Sequence, residues 1–185
     1  MKKLIKCKTC GFIMEEGKLK DKCPACGVPA KMFEPYTSDI SEKRASILNA
    51  HLHPVIVHAP QASAFFLLAF VLIFIFNVPF KNDLLSTIKI LSFLLPIVVL
   101  GAFGSGLLDG KTRFRKVTTP ILVQKITLGI LFFVFSSVML VLAFFFDLNT
   151  ILVWTLFLLC NLICFVMSMK LGLLGSSLLN ARFRG

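Results

Sequence analysis

The chain has 185 residues, 57% of them hydrophobic, with a mean hydropathy of +0.87, a balance too apolar for a soluble domain of this size. Its formal charge of +11 divides unevenly: residues 1–50 hold 10 basic and 6 acidic side chains, residues 51–185 hold 10 and 3. No serine triad, phosphate-binding loop or carboxylate pair is legible, and nothing points to nucleic acid as a partner.

The first stretch, MKKLIKCKTC, runs straight into cysteines, whereas a secretory signal would need an apolar run after the basic start. Residues 1–36 are therefore expected to form a polar head in the cytosol, where reducing conditions favour metal ligation over disulfides. Cys7-x-x-Cys10 and Cys23-x-x-Cys26 are separated by 12 residues. Each pair makes a tight turn that points two sulfurs at one ion, and two facing turns make a tetrahedral four-sulfur site for zinc or iron. Gly11 and Phe12 follow the first pair. Pro24 sits inside the second, Gly27 follows it, and Pro29 and Phe33-Glu34 come after. Glycines beside thiolates leave backbone N–H groups free to hydrogen-bond sulfur and tune a redox potential. A zinc ribbon that stabilises a head too small to build its own core fits the same spacing.

Residues 4–36 resemble the short rubredoxin-like domain of rubrerythrins. The pattern carrying the resemblance is CxxCG followed by an aromatic, twelve residues between pairs, CPxCG and a downstream Phe-Glu. It implies a small β-hairpin domain with one iron held by Cys7, Cys10, Cys23 and Cys26, cycling between ferrous and ferric states as a one-electron carrier.

Residues 37–52 form the joint. Ile40, Ile47, Leu48 and His51 fall near one helical face with Glu42, Lys43 and Arg44 mostly opposite, the pattern of a short interfacial helix or of a loosely helical linker. Residues 53–185 then read as a four-span domain. Charge-poor segments at 54–78, 84–108, 120–146 and 148–169 each reach the length a span requires.

All three histidines lie at the mouth of the first span, in NAHLHPVIVHAPQA. Pro54 suits a first helical turn, and Pro60 deprives the Ile56 carbonyl of its donor, predicting a kink beside His58. The string His53-Pro54-x-x-Val57-His58-x-Pro60 looks like the opening of a family of poorly characterised four-helix membrane proteins. That resemblance extends loosely to GAFGSGLLDG, and its paired histidines imply a haem b site. Positions five apart point about 140° away from each other on a helix, so His53 and His58 would each need a partner from another helix or subunit. Such sharing would suit a homodimer. His51 is the third candidate. Met139 and Met167 are conceivable axial ligands, though packing is their ordinary role.

Basic residues orient the spans. The 109–119 loop holds Lys111, Arg113, Arg115 and Lys116, and the tail holds Lys170, Arg182 and Arg184. Both termini are therefore expected on the cytoplasmic side of the cell's inner or plasma membrane. Lys125, just inside the third span, could meet a haem propionate or a quinone oxygen, or snorkel to the surface. Arg113, Arg115 and Lys116 read as anchors for anionic lipid, with propionate pairing as the alternative. Gly101, Gly104, Ser105 and Gly106 read as a helix-packing surface, and Cys160 and Cys164 as small apolar residues.

The expected molecule is mainly α-helical: a four-helix transmembrane bundle with a small N-terminal metal domain. Its expected work is to pass single electrons between the four-cysteine iron and a membrane acceptor, haem b or quinone, for a soluble or membrane redox partner. Whether it is itself an oxidoreductase stays open. The competing expectation is a non-redox membrane protein whose zinc-ribbon head docks a partner.

Overall fold

The computed structural model describes residues 3–37, 41–76, 78–114 and 117–180. Ile40, Arg115, Lys116, Arg182 and Arg184, invoked above, lie outside the described residues. The chain divides into two compact units, Met1–Ser46 with Ser177–Gly185, and Ile47–Ser176.

The first unit contains a three-stranded antiparallel sheet in the order β2-β1-β3, built from β1 (Leu4–Cys7), β2 (Ile13–Glu15) and β3 (Phe33–Tyr36). Leu4 pairs with Glu15 on one side and Tyr36 on the other, and Cys7 pairs with Phe33. Strand alternation buries Ile5 and Cys7 and leaves Leu4 and Lys6 half-covered. Among the described residues of this head only Ile5, Cys7 and Cys23 are buried. So small an apolar core cannot offset chain entropy alone, and ligation has to hold the head together.

The joint contains α1 (Glu42–Asn49), on which Ile47 and Leu48 are half-buried. His51 takes a left-handed conformation, φ 49°, which ends the first turn sequence and starts α2 (Leu52–Ile56). Val57 separates α2 from α3 (His58–Phe74) while keeping helical dihedrals, φ −64° and ψ −19°. That is where the missing Pro60 N–H leaves the Ile56 carbonyl without a donor, as expected.

Three longer helices follow: α4 (Lys81–Phe114), α5 (Pro120–Phe145) and α6 (Ile151–Asn180). Four helical segments, Lys43–Phe74, Lys81–Phe114, Pro120–Phe145 and Ile151–Ser177, are long and apolar enough to cross a membrane. α5 starts on Pro120 at its first position, where the absent N–H costs nothing. α4 has 34 residues, so at 1.5 Å each it runs about 51 Å and outlasts a hydrocarbon core of about 30 Å. The segment 84–108 is its apolar middle. α6 likewise passes residue 169, because apolar Leu171, Leu173 and Leu174 follow Lys170 with no breaker strong enough to stop it.

The bundle turns large side chains outward. Phe65, Phe66, Ile97, Leu100, Phe144 and Leu159 are exposed, which is favourable only against lipid. Its interior holds Leu67, Val71, Ile88, Leu95, Met139, Phe157 and Cys164, all fully buried or nearly so. Phe74 packs on Trp154 at 4.6 Å between ring centroids and Phe65 on Phe165 at 6.4 Å, tying α3 to α6. α4 meets α5 at Gly129, where an added Cβ would lie 2.8 Å from the Phe103 ring.

Candidate metal centre

The four head cysteines sit on two copies of one turn. The Gly11 N–H donates to the Cys7 carbonyl at 2.9 Å, and the Gly27 N–H to the Cys23 carbonyl at 2.9 Å. The Cys7 N–H reaches the Phe12 carbonyl at 2.8 Å, as the Cys23 N–H reaches that of Val28 at 2.8 Å. Each turn closes on a left-handed glycine, φ 74° at Gly11 and 75° at Gly27, a conformation that charges any other residue strain.

These turns bring all four Sγ atoms within 4.8 Å of one another. Cys7 and Cys26 are 3.8 Å apart, as are Cys10 and Cys23, far beyond a disulfide bond. A regular tetrahedron with metal–sulfur bonds of about 2.3 Å has edges of about 3.8 Å, so the cage already has the size of a four-thiolate ion site. Iron and zinc both fit this donor set.

Backbone N–H groups point at the sulfurs: those of Cys10 and Thr9 at Cys7, those of Cys26 and Ala25 at Cys23, and that of Val28 at Cys26. Desolvation raises the Cys7 thiol, but these amides with the Cys10 and Cys26 side chains bring it down to about 7. Cys23 is lowered in the same way against its own desolvation. At Cys26 the Val28 N–H lowers the thiol, while desolvation and the sulfurs of Cys10, Cys23 and Cys7 together push it up to about 12. The opposite displacements have one cause. Four sulfurs this close cannot all be thiolates unless a cation sits among them. Cys7 and Cys23 are buried, Cys10 is half-buried and Cys26 is exposed, so one edge of the cage meets solvent.

The second unit gathers a separate set of polar groups at the bundle end where α3 begins and α4 finishes. The Ser105 hydroxyl donates to the Ala102 carbonyl at 2.9 Å, so its oxygen is left to accept from the His53 Nδ1–H at 3.1 Å. Those contacts set the tautomer and leave Nε2 with its lone pair. A Cβ on Gly106 would stand 2.9 Å from the same ring, so the glycine makes room for it. Charges on Lys125, Asp109 and Arg113 act on His53. Lys125 Nζ lies against α6 where Gly175 has no side chain, 3.9 Å from an added Cβ. Deeper in the bundle, the Gln61 Nε2 amide of α3 donates to the Ser168 carbonyl of α6 at 3.4 Å.

Of the residues singled out from sequence, His53, Lys125 and Arg113 share this neighbourhood. Arg113 is paired with Asp109 one turn before it on α4 through two contacts of 3.4 Å. His51 and His58 are exposed, and their side chains make no hydrogen bond among the described residues. Met139 and Cys164 are buried in the core, as packing residues should be. Ser105, Gln61 and Gly175 were not expected here. Ser105 offered a signal, a hydroxyl amid glycines one helix away from a histidine, but no local spacing links positions 53 and 105. Beside Lys125, an open cleft of about 560 Å³ runs between α5 and α6, lined by Val123, Gln124, Leu128, Lys170, Leu173 and Leu174 among others.

Residues 6–34 match the family model described as Rubrerythrin, rubredoxin-like domain. No curated protein and no solved structure matches the chain significantly. The match lies wholly within the head and carries nothing of the membrane-spanning helices. The chain thus joins a head similar to the rubredoxin-like domain of rubrerythrin, with four sulfurs at metal-binding separation, to four apolar helices long enough to cross a membrane.

Proposed function

We propose that the protein is a membrane-bound one-electron carrier, with iron in the Cys7–Cys10–Cys23–Cys26 cage exchanging electrons with a quinone-type acceptor at the His53 end of the bundle. The observation that carries the reading is the doubled cysteine turn, with four sulfurs within 4.8 Å and amide hydrogens aimed at them, in a segment matching a rubredoxin-like family. Four thiolates supply iron with a ferrous–ferric couple, and N–H donation to sulfur favours the more electron-rich state. The exposed Cys26 gives that couple a solvent-facing edge.

The acceptor side rests on chemistry of the second unit. A quinone carbonyl needs a donor, which the Lys125 ammonium provides. A quinol hydroxyl needs an acceptor, which His53 Nε2 provides. The cleft between α5 and α6 offers an apolar surface suited to an isoprenoid tail. Haem b is the second acceptor considered, with His53 Nε2 as the ligand nitrogen; exposed His51 and His58 favour it less. The basic residues of the 109–119 segment and of the tail favour a cytoplasmic side for both termini.

Stopped-flow re-oxidation of the reduced full-length protein by a short-chain ubiquinone or menaquinone tests the reading. Iron absorbance should return in a quinone-dependent phase that slows about tenfold, the 1.4 kcal/mol of one lost hydrogen bond, in His53→Ala. Quinone-independent re-oxidation, equal in wild type and His53→Ala, would contradict the acceptor assignment.

A further inference from the structure

α6 carries an asparagine in the middle of the bundle. Asn161 is fully buried, and neither Nδ2 nor Oδ1 has a hydrogen-bond partner among the described residues. It stands ten residues into a helix that begins at Ile151, about 15 Å deep, which is half of a hydrocarbon core. Phe157 and Cys164, one turn either side of it, belong to the buried cluster, so this face of α6 points inward. An amide left bare there costs about 1–3 kcal/mol for each unmet group.

Two further buried polar side chains, Ser136 and Ser92, fall within about one turn of this level by helix register. Lys125 faces Gly175, and Thr127 and Lys170 line one cleft, so the antiparallel register of α5 on α6 sets Ser136 level with Asn161. Ser92 of α4 falls within about one turn of that level, counting from Ile56 beside Gly101 on α3's side and from Phe65 on Phe165. Both serines are fully buried. Their protons are already committed, Ser92 Oγ to the Ile88 carbonyl at 2.7 Å and Ser136 Oγ to the Phe133 carbonyl at 2.9 Å. Each oxygen can therefore only accept. Pro96, also buried, has no N–H to give the Ser92 carbonyl. The layer thus holds at least four acceptor positions against the two protons of Asn161 Nδ2, and none of its own donors is free for Oδ1.

We infer that Asn161, Ser136 and Ser92 hold an ordered water molecule at the centre of the membrane bundle. Water supplies two donors and accepts from Nδ2, which narrows the shortage of donors with about three hydrogen bonds, the usual number for a buried water. A second protein copy cannot reach the site, because Asn161 has no exposed surface.

The test uses the full-length chain in lipid nanodiscs with amide-¹⁵N asparagine, reading magnetisation transfer from water to side-chain amides. The Asn161 pair is identified by its disappearance in Asn161→Leu, and exposed Asn149 serves as the hydrated control. Transfer to Asn161 at a level comparable with Asn149 is expected, falling about twofold in Ser136→Ala while the Asn161 resonances persist. A dry Asn161, or transfer unchanged by Ser136→Ala, would overturn the assignment.

Discussion

Single residues set the chemistry at both ends of the chain. Gly11 and Gly27 close the two cysteine turns at positive φ, and neither has a neighbour closer than 3.8 Å to an added Cβ. Substituting alanine therefore meets strain and not collision. Gly27→Ala should cost the loaded head about 1–2 kcal/mol, seen as an earlier thermal loss of metal absorbance with unchanged stoichiometry. Cys10→Ser removes one ligand and should abolish stable loading, leaving a head whose buried set is too small to persist; metal analysis after gel filtration checks it. Asp147, in the turn between α5 and α6, accepts from the Asn149 backbone at 3.0 Å and side chain at 2.9 Å. Those bonds, with the Lys89 charge, hold its carboxyl below the ordinary 3.8. A depressed folded value contributes stability that is present above 3.8 and lost as pH falls through the lower folded value. Asp147→Asn should thus lower stability near neutrality and converge with the wild type in acid, flattening the acid limb of a stability–pH curve. The four cysteines were fully legible because their spacing is local. The partnership of His53 with Ser105 was not, since 52 positions separate them and only helix packing joins them.

At the scale of elements, hydropathy found the four spans and missed where two of their helices end. Helices α4 and α6 run on past their apolar stretches because polar residues at a membrane surface, such as Asp109 and Arg113, continue a helix readily and even pair along it. Prolines act by position: Pro120 opens α5, Pro96 lies inside an unbroken α4, and the division between α2 and α3 at Val57 falls just before Pro60. The small residues of α4 were read as a packing surface: an added Cβ on Gly106 would meet His53 and one on Gly101 would touch Ile56, whereas Gly104 meets nothing within 4 Å. The tight contact of α4 with α5 is made by Gly129 against Phe103. Gly129→Ala places a methyl 2.8 Å from a ring enclosed between two helices, so the bundle should lose about 1–3 kcal/mol. Gly110→Ala meets only the flexible end of Leu122 at 3.3 Å and should lose less. Comparing the two melting temperatures in one detergent separates ring-limited from side-chain-limited packing. Gly106 combines packing with the site, because it admits the His53 imidazole.

For the whole molecule, sequence predicted a division of labour that the fold shares: a metal-sized cage in a head with almost no core, and a helical body whose outward surface suits lipid. The head depends on its ion, whereas the bundle depends on packing, so the two should fail separately. A strong chelator is expected to melt the sheet of β1–β3 and leave helical circular dichroism of the bundle nearly intact. In the proposed function a redox-active ion in the head is what serves the bundle. The most direct test is the visible spectrum of full-length protein purified from native cells, recorded with metal analysis before and after titration with a one-electron reductant. One iron per chain, with thiolate-to-iron charge-transfer bands that bleach on uptake of one electron, is the predicted result. Colourless protein holding one zinc per chain, unchanged by reductant, would contradict the account.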